Sequence, residues 1–277
     1  MRPVRDPDVS SLSVPLKRPP RSARGAVSLR AAWRLVSSVV HALHGIAVCA
    51  FVFPFLAPAA RMRRVAWWSV RMLEVFGIEL RRVGTVPAAP VLLLANHVSW
   101  LDILAINAVQ PARFVAKADM RRWPLLGFLI ASGGTLFIER ERKRDALRVV
   151  HQVAAALRDG ATVAVFPEGT TGDGPSLLPF HANLLQAAIS TATPVQSVAL
   201  RFSDAASAFS AAAIYGEVSL LRSVWAVACA DALQVNVTLP PLLASVGTER
   251  RALAQTVRQQ IQCVLDAGAA DAVRRAT

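Results

Sequence analysis

The sequence predicts an α/β domain in which a β-sheet is covered by helices on both faces. From residue 85 onward, short apolar runs alternate with longer segments whose apolar residues recur at helical spacing. Hydrophobic residues make up 54% of the 277-residue chain and charged residues 18%, which suits a globular domain attached to a membrane better than a protein with many spans. This length allows one large domain, or one medium domain with an added segment.

The net charge indicates the class of partner, and the cysteine spacing indicates the redox compartment. A formal net charge of +13 favours an anionic partner, such as a membrane surface or an acidic substrate. Nucleic acid is not expected, because the sequence lacks zinc-finger spacing, an RNP-like aromatic strand and a lysine-rich arm. The three cysteines are far apart, so we expect buried thiols in a reducing compartment.

The N-terminal part divides into a tail and an apolar segment. Residues 1–28 are rich in Arg, Pro and Ser and predict a basic disordered tail. Residues 35–56 carry no formal charge and have about the ~20 residues that a membrane-spanning helix requires. A cleaved signal peptide, a single span and an interfacial helix are the alternatives. Basic residues flank both ends, which favours a helix, or a helical pair broken near Gly45 or Pro54, in one leaflet.

The next segment predicts a basic amphipathic helix over residues 61–80. Apolar residues recur there at helical spacing, and arginines occupy the other face. The helix is expected to pack onto the domain, to rest on anionic headgroups with Trp67 and Trp68 at the interface, or to do both. We therefore assign residues 29–82 to a membrane-associated helical segment and residues 83–277 to the α/β domain.

The α/β domain is predicted from alternating strand-like and helix-like segments. Strands are expected at 91–95, 113–116, 135–138, 162–166, 194–200, 212–215 and 234–239. Helices are expected at 102–110, 122–132, 143–158, 182–190, 219–230 and 248–266. In such sheets, active sites gather beyond the carboxyl ends of the strands.

The stretch "NHVSWLD", residues 96–102, begins directly after the first of these strands. His97 is placed where a side chain leaves the sheet, and Asp102 falls in the first turn of the next predicted helix. A hydrogen bond from the carboxylate to one imidazole nitrogen would leave the other nitrogen free to take a proton from a hydroxyl. The alternative is that His97 bonds to the backbone and Asp102 caps the helix. The sequence has no G-x-S-x-G pattern, so the expected nucleophile is a hydroxyl of the substrate.

Two further segments place charged or flexible residues after strands. "GTLFIER", ending at Arg140, follows one strand with a cation. "VFPEGTTGDG", from Val165 to Gly174, follows another with a carboxylate and a glycine-rich turn, whose N–H groups can approach an anion. We expect the Gly169–Thr170 turn to supply N–H donors to an oxyanion.

The ordered set NH-x4-D, G-x-x-F-I-x-R and FPEGT resembles the signature of the bacterial 1-acyl-sn-glycerol-3-phosphate acyltransferases, a family of glycerolipid acyltransferases. The resemblance covers residues 62–240 and includes the segments 117–127 and 194–200. It implies the fold of that family, a mixed sheet flanked by helices, with an N-terminal membrane-associated helical segment. It also implies that His97 is the general base and that Asp102 orients it.

The same resemblance implies a site for the glycerol phosphate. The residues that it assigns to substrate binding are Lys117, Arg140, Glu168, Gly169 and Thr170. Arg and Lys can neutralise a phosphomonoester and fix its distance from His97. Glu168 cannot neutralise phosphate, so it is expected to accept from a substrate hydroxyl or to hold Arg140, and a structural ion pair is the alternative. No metal and no cofactor are expected.

Two departures from the family pattern concern the acceptor. Thr171 and His181 stand where many relatives carry a basic residue, which leaves the phosphate site less cationic. The predicted reaction is acyl transfer from acyl-CoA or acyl carrier protein to the sn-2 hydroxyl of lysophosphatidate, giving phosphatidate. A lyso-ornithine lipid or another lysolipid is the alternative acceptor. A thioester hydrolase and a silent membrane-binding module are the remaining hypotheses.

The expected partners are anionic membrane lipids, a lysophospholipid acceptor and acyl-CoA or acyl carrier protein. The expected location is the inner membrane, with the catalytic domain on the cytoplasmic side.

Overall fold

The computed structural model describes residues 21–138, 143–216 and 218–276, which form an α/β domain preceded by two helices. The strands are β1 (Glu79–Val83), β2 (Val91–Ala95), β3 (Arg113–Lys117), β4 (Leu136–Ile138), β5 (Thr162–Val165), β6 (Val195–Ser203) and β7 (Gln234–Thr238). The helices are α1 (Arg21–Phe51), α2 (Pro58–Val75), α3 (Leu101–Val109), α4 (Leu126–Ser132), α5 (Lys143–Arg158), α6 (Leu185–Ser190), α7 (Leu220–Cys229) and α8 (Arg250–Ala276).

The strands form one mixed sheet in the order β1-β7-β6-β2-β5-β3-β4. Strands β6 and β7 pair antiparallel, while the other neighbours pair parallel. Parallel neighbours are linked through helices that cover the faces of the sheet. The predicted mixed α/β sheet flanked by helices is confirmed.

The central strand β2 shows why this sheet has two covered faces. All five of its residues are buried. Leu93 and its alternate neighbours pack with α2, α3 and α7, whereas Leu92 and Leu94 pack with α5, α6 and α8. Alternation of side chains across a strand sends successive residues to opposite faces, so an unbroken apolar run suits a strand buried on both sides.

The helices α1 and α2 form a hairpin that breaks at Pro54. Gly45 lies inside α1 and allows close approach of α2, because a Cβ there would stand 2.6 Å from Trp68 Nε1. The Trp68 indole N–H donates to the His41 carbonyl oxygen at 3.0 Å. The apolar segment therefore forms one helix that continues through Gly45 and ends at Phe51, just before Pro54.

Helix α1 is long and apolar enough to cross a membrane between Leu29 and Phe51, by length and composition alone. Only 6% of that window is buried inside the protein. The helix is attached to the α/β domain by Arg34, whose guanidinium donates to the carbonyl oxygens of Ala228 and Ala230 at 3.1 and 2.7 Å.

Several predicted boundaries are corrected at the N-terminal side. Residues 1–20 of the predicted tail lie outside the described residues, and α1 begins at Arg21, so the segment 21–28 is helical. Helix α2 ends at Val75 and not near residue 80. The chain turns at Gly77, whose φ of +71° suits glycine, and then enters β1. The proposed domain boundary at residue 82 therefore cuts through a strand of the sheet.

Two predictions inside the domain are also corrected. The strand predicted at 212–215 is absent: the segment forms a turn, and the Tyr215 N–H donates to the Val98 carbonyl oxygen at 2.9 Å. The helix predicted at 122–132 is shorter, because a 3₁₀ turn occupies Ala118–Arg122 and α4 begins at Leu126.

Candidate active site

The candidate site lies at the carboxyl edge of the parallel part of the sheet. Strands β2, β5, β3 and β4 are neighbours in that order and run in the same direction. His97 follows β2, Glu168 follows β5, and Lys117 ends β3. Adjacent strands are about 4.8 Å apart, so β3 runs roughly 10 Å from β2 across the sheet. The motif residues of three separate segments therefore meet at one edge.

His97 and Asp102 form the hydrogen-bonded pair that the sequence predicted. The distance from His97 Nδ1 to Asp102 Oδ2 is 2.7 Å. The Asp102 side chain is fully buried, and that of His97 is 21% exposed. Within the described part of the chain, no group hydrogen-bonds His97 Nε2. An Nδ1–H held by the carboxylate leaves Nε2 as the nitrogen that accepts a proton.

The Asp102 side chain makes all of its described hydrogen bonds through one oxygen. Besides His97, Oδ2 accepts the backbone N–H groups of Val98 and Ser99 at 2.7 and 2.9 Å. Oδ1 is buried and has no partner among the described residues. The carboxylate therefore orients the imidazole and also fixes the turn that leads into α3.

The backbone of His97 is held from both sides. Asn96 extends the pairing of β2 with β6, since its amide donates to the Leu200 carbonyl oxygen at 2.9 Å and accepts the Leu200 N–H at 2.7 Å. The His97 N–H donates to Glu168 Oε1 at 2.8 Å, and its carbonyl oxygen accepts the Gly172 N–H at 2.7 Å. The segment after β5 thus positions the histidine.

Glu168 is a buried carboxylate that bonds to backbone. Its second oxygen, Oε2, accepts the Leu178 N–H at 2.9 Å. Burial raises the pKa of Glu168, and the N–H groups of Leu178 and His97 oppose that shift in part. The geometry places Glu168 as a residue that joins the His97 turn to the 172–178 loop, a role that the sequence did not indicate.

The imidazole ring rests on an aromatic side chain that sequence reasoning missed. Phe166 stacks on His97 with ring centroids 4.0 Å apart and planes inclined by 14°. Phe166 directly follows β5, and β5 is the parallel neighbour of β2, so the ends of the two strands bring the rings together. The signal was present in the sequence as the Phe of FPEGT.

The other predicted binding residues have different outcomes. Lys117 is exposed at the same sheet edge, and Thr170 is exposed in the turn after Glu168. Gly169 has a φ of +76°, and its N–H donates to the Phe166 carbonyl oxygen at 3.1 Å, so this N–H is used inside the turn. A role of the Gly169–Thr170 turn in binding an oxyanion stays a prediction. Arg140 lies outside the described residues.

The arrangement can perform general base chemistry on a hydroxyl. His97 has one nitrogen fixed by a buried carboxylate and a ring held by stacking and by its backbone contacts. Across residues 21–138, 143–216 and 218–276, no group of three His, Cys, Asp or Glu side chains is placed to hold a metal ion.

Comparisons with known proteins identify the family of this chain. The model of the Acyltransferase family matches residues 77–201, which include the segments carrying His97, Asp102 and Glu168. A 1-acyl-sn-glycerol-3-phosphate acyltransferase of Neisseria meningitidis is 36% identical over 211 residues, 75% of this chain and 83% of that protein. A lyso-ornithine lipid O-acyltransferase of Pseudomonas aeruginosa is 34% identical over 205 residues, 74% of this chain and 79% of that protein.

The fold also matches a solved structure. The crystal structure of the 1-acyl-sn-glycerophosphate acyltransferase of Thermotoga maritima aligns with a TM-score of 0.61 at 18% identity, covering 84% of this chain and 97% of that chain. The resemblance to glycerolipid acyltransferases is thus confirmed, and the chain belongs to the Acyltransferase family and is an enzyme of that family.

Proposed function

We propose that this enzyme transfers a fatty acyl group from an acyl thioester to the sn-2 hydroxyl of 1-acyl-glycerol-3-phosphate and thereby makes phosphatidate. The thioester is carried on coenzyme A or on acyl carrier protein, and no further cofactor takes part. The observation that carries this proposal is the 2.7 Å bond between His97 Nδ1 and the buried Asp102 at the open edge of the sheet. Relatives named for this reaction support the choice of acceptor.

In the proposed mechanism, His97 Nε2 takes the proton from the acceptor hydroxyl as its oxygen attacks the thioester carbonyl carbon. Asp102 stabilises the imidazolium that forms. The tetrahedral intermediate then collapses, the carbon–sulfur bond breaks, and the thiolate leaves with the proton from Nε2. The thiol and the acylated lipid are the products, so protons and charge balance over the reaction.

The phosphate of the acceptor is proposed to bind at the β3 and β4 end of the edge. Lys117 is exposed there, and Arg140 follows β4 in sequence. A phosphomonoester carries nearly two negative charges, and cations at this end would hold the glycerol hydroxyl near His97. Gly169 and Thr170 are proposed to contact the acceptor from the neighbouring strand end.

Lyso-ornithine lipid is the second candidate acceptor. Thr171 and His181 occupy positions where the family pattern often has a basic residue, and a less cationic site suits a headgroup without phosphate. His181 is exposed, and its N–H donates to the Pro167 carbonyl oxygen at 2.9 Å, so it lies beside the Glu168 turn. A relative named for this acceptor matches the chain at similar identity.

We further propose that the enzyme works at the cytoplasmic face of the inner membrane. Both thioester donors are cytoplasmic and acidic, and the net charge of +13 suits them and an anionic lipid surface. The hairpin of α1 and α2 would lie in the cytoplasmic leaflet, which keeps the basic residues at both ends of the apolar segment on one side.

The proposal is tested by acyl transfer with purified protein. A labelled acyl group is offered from its thioester to lysophosphatidate and, in parallel, to lyso-ornithine lipid. The proteins are wild type, His97→Ala and the control His151→Ala, since His151 is exposed on α5, on the other face of the sheet. Transfer to lysophosphatidate is expected for wild type and His151→Ala and lost in His97→Ala.

The other outcomes separate the alternatives. Transfer to lyso-ornithine lipid alone replaces the acceptor but keeps the chemistry. Loss of thioester without an acceptor identifies a hydrolase. Wild-type turnover by His97→Ala overturns the assignment of the base, and inactive wild type with both lipids leaves the membrane-binding module as the better description.

A further inference from the structure

A second apolar surface lies beside the N-terminal hairpin, at the carboxyl end of β3. Trp123, Leu125, Leu126 and Phe128 are all exposed and follow one another within six residues. We call these four side chains the apolar lip. Large apolar side chains clustered on a surface mark a site of contact with another apolar body, whereas single ones are ordinary.

The apolar lip is built on a hydrogen-bonded turn. The Leu126 N–H donates to the Pro124 carbonyl oxygen at 2.6 Å, and the Gly127 N–H donates to that of Trp123 at 2.9 Å. Gly127 is buried against the Arg121 carbonyl oxygen, so closely that a Cβ would collide with it. Leu125 has a φ of +61°, a left-handed conformation that costs a non-glycine residue free energy. This strained turn presents a leucine to the outside.

The apolar lip is continuous with the membrane-spanning candidate. Helix α4 packs against α1. Ser132, the last residue of α4, lies beside Cys49, which is within the apolar window Leu29–Phe51. A membrane that holds this part of α1 therefore reaches the neighbourhood of α4.

The charges around the apolar lip match an anionic lipid surface. Arg121 and Arg122 directly precede it and are exposed. Lys117 adds a third cation, and Asp119 is the one acidic residue between positions 117 and 132. Apolar side chains bordered by arginines, with a tryptophan at the boundary, are the composition found where proteins enter the headgroup region of a bilayer.

We propose that the apolar lip inserts into the lipid monolayer that holds α1, with Arg121 and Arg122 at the level of the anionic headgroups. The inference rests on the membrane placement of α1 in the proposed function and adds a second point of contact. The contacts of α1 and of the apolar lip together fix the orientation of the domain. The contact of the apolar lip brings the carboxyl end of β3 to the lipid surface. A lysolipid can then reach the sheet edge without leaving the monolayer.

The test uses single cysteines that carry an environment-sensitive fluorophore. They are introduced into the full chain with Cys49, Cys229 and Cys263 replaced by alanine, and each labelled protein must retain acyl transfer. The probe position is Leu125→Cys. Val40→Cys, on α1, reports the placement of the hairpin, and Leu147→Cys, on α5, is the matched control on the opposite face. The exposed fractions of the three native side chains are 61%, 61% and 65%.

Vesicles of phosphatidylglycerol and phosphatidylethanolamine are added, with and without lipids that carry a nitroxide quencher in the acyl chain. We expect a blue shift and quenching at positions 125 and 40, and neither at 147. Quenching at 40 but not at 125 overturns the proposal and leaves the placement of α1 intact. Absence of quenching at both positions overturns the proposal together with that placement, while the acyl-transfer assay still decides the reaction.

Two further outcomes would assign the apolar lip to another occupant. A blue shift at 125 that appears without vesicles and grows with protein concentration would show contact with a second copy. A blue shift that requires the acyl thioester, without vesicles, would show that the apolar lip binds the acyl chain.

As a second measurement, Leu125→Asp should weaken vesicle binding roughly tenfold, because one apolar side chain is lost from the bilayer. The control Leu147→Asp should bind vesicles as wild type does.

Discussion

Replacing Asp102 by Asn separates the charge of this residue from its hydrogen bonds. Because Oδ2 alone accepts from His97, Val98 and Ser99, the oxygen of an asparagine can take the same place and keep all three bonds. Its NH2 group would occupy the position of Oδ1, which has no described acceptor or donor partner. We therefore expect the imidazole orientation and tautomer to survive while the negative charge is lost.

The size of the effect follows from the attraction between the carboxylate and the imidazolium. At a separation of about 4 Å and an effective dielectric constant near 20, this attraction is ~4 kcal/mol. If the imidazolium is fully formed in the transition state, kcat falls about 1000-fold; if half of the charge has developed, it falls about 30-fold. KM for the lysolipid should change little, since the charge acts when the proton moves.

The assay is steady-state acyl transfer at saturating thioester, with thermal unfolding measured in parallel. Asp102→Ala is the comparison variant, because it removes the three bonds as well as the charge and leaves two buried N–H groups unsatisfied, at a cost of about 1–3 kcal/mol each. It should be less stable and less active than Asp102→Asn. A loss of about 10⁴ in kcat for Asp102→Asn, equal to that of Asp102→Ala, would refute the reasoning and point to a wrong tautomer.

Four further predictions concern Glu168, the N-terminal hairpin and Lys117. Glu168→Gln should lower the free energy of unfolding by about 1.5–3 kcal/mol, because the NH2 group of the glutamine would face one of the two N–H groups that Glu168 accepts. The control Glu249→Gln should lower it less, because Glu249 is exposed, although it also accepts two N–H groups. Burial raises the pKa of Glu168, so the folded state binds a proton at a higher pH than the unfolded state does. The free energy of unfolding of wild type, relative to that of Glu168→Gln, should therefore increase as pH falls from the raised pKa towards ~4.3. Chemical denaturation at several pH values in that window tests the sign. Gly45→Ala should lower the melting temperature more than Trp68→Phe, since a Cβ would stand 2.6 Å from the Trp68 ring nitrogen and force the helices apart. Lys117→Gln should raise KM for lysophosphatidate roughly tenfold and change KM for lyso-ornithine lipid less, which parallel titrations would detect.

The parts of the fold that depend on local pattern could be predicted from the sequence. Strand β2 was predicted at its observed bounds because all five residues are apolar, and α5 because its apolar residues recur at helical spacing. Strand β1 was missed because its sequence, ELRRV, carries three charged residues, as suits a strand at the edge of a sheet. Its partner, β7, lies about 150 residues further along the chain.

The error at 212–215 is the opposite one, because a strand is predicted there and the structure forms a turn. Its residues are apolar, but the Tyr215 N–H is used by the Val98 carbonyl oxygen in the loop that carries His97 and Asp102. Local propensity identifies apolar segments and cannot show which distant backbone group completes their hydrogen bonds.

The same limit explains why the site was predicted only in part. His97 and Asp102 are five positions apart, so a turn could be expected to bring them together. Glu168 looked like a group that contacts substrate, yet its partner is the His97 N–H, 71 residues away in the chain. A general base must be held within roughly 0.5 Å of its working position. For His97, the base in the proposed mechanism, that precision depends on bonds between its backbone and the segment after β5. A substitution in FPEGT can therefore lower kcat without removing any contact to substrate. Such a variant would resemble a catalytic mutant in its kinetics, and the accompanying loss of stability would distinguish it from a variant that had lost only a contact to substrate.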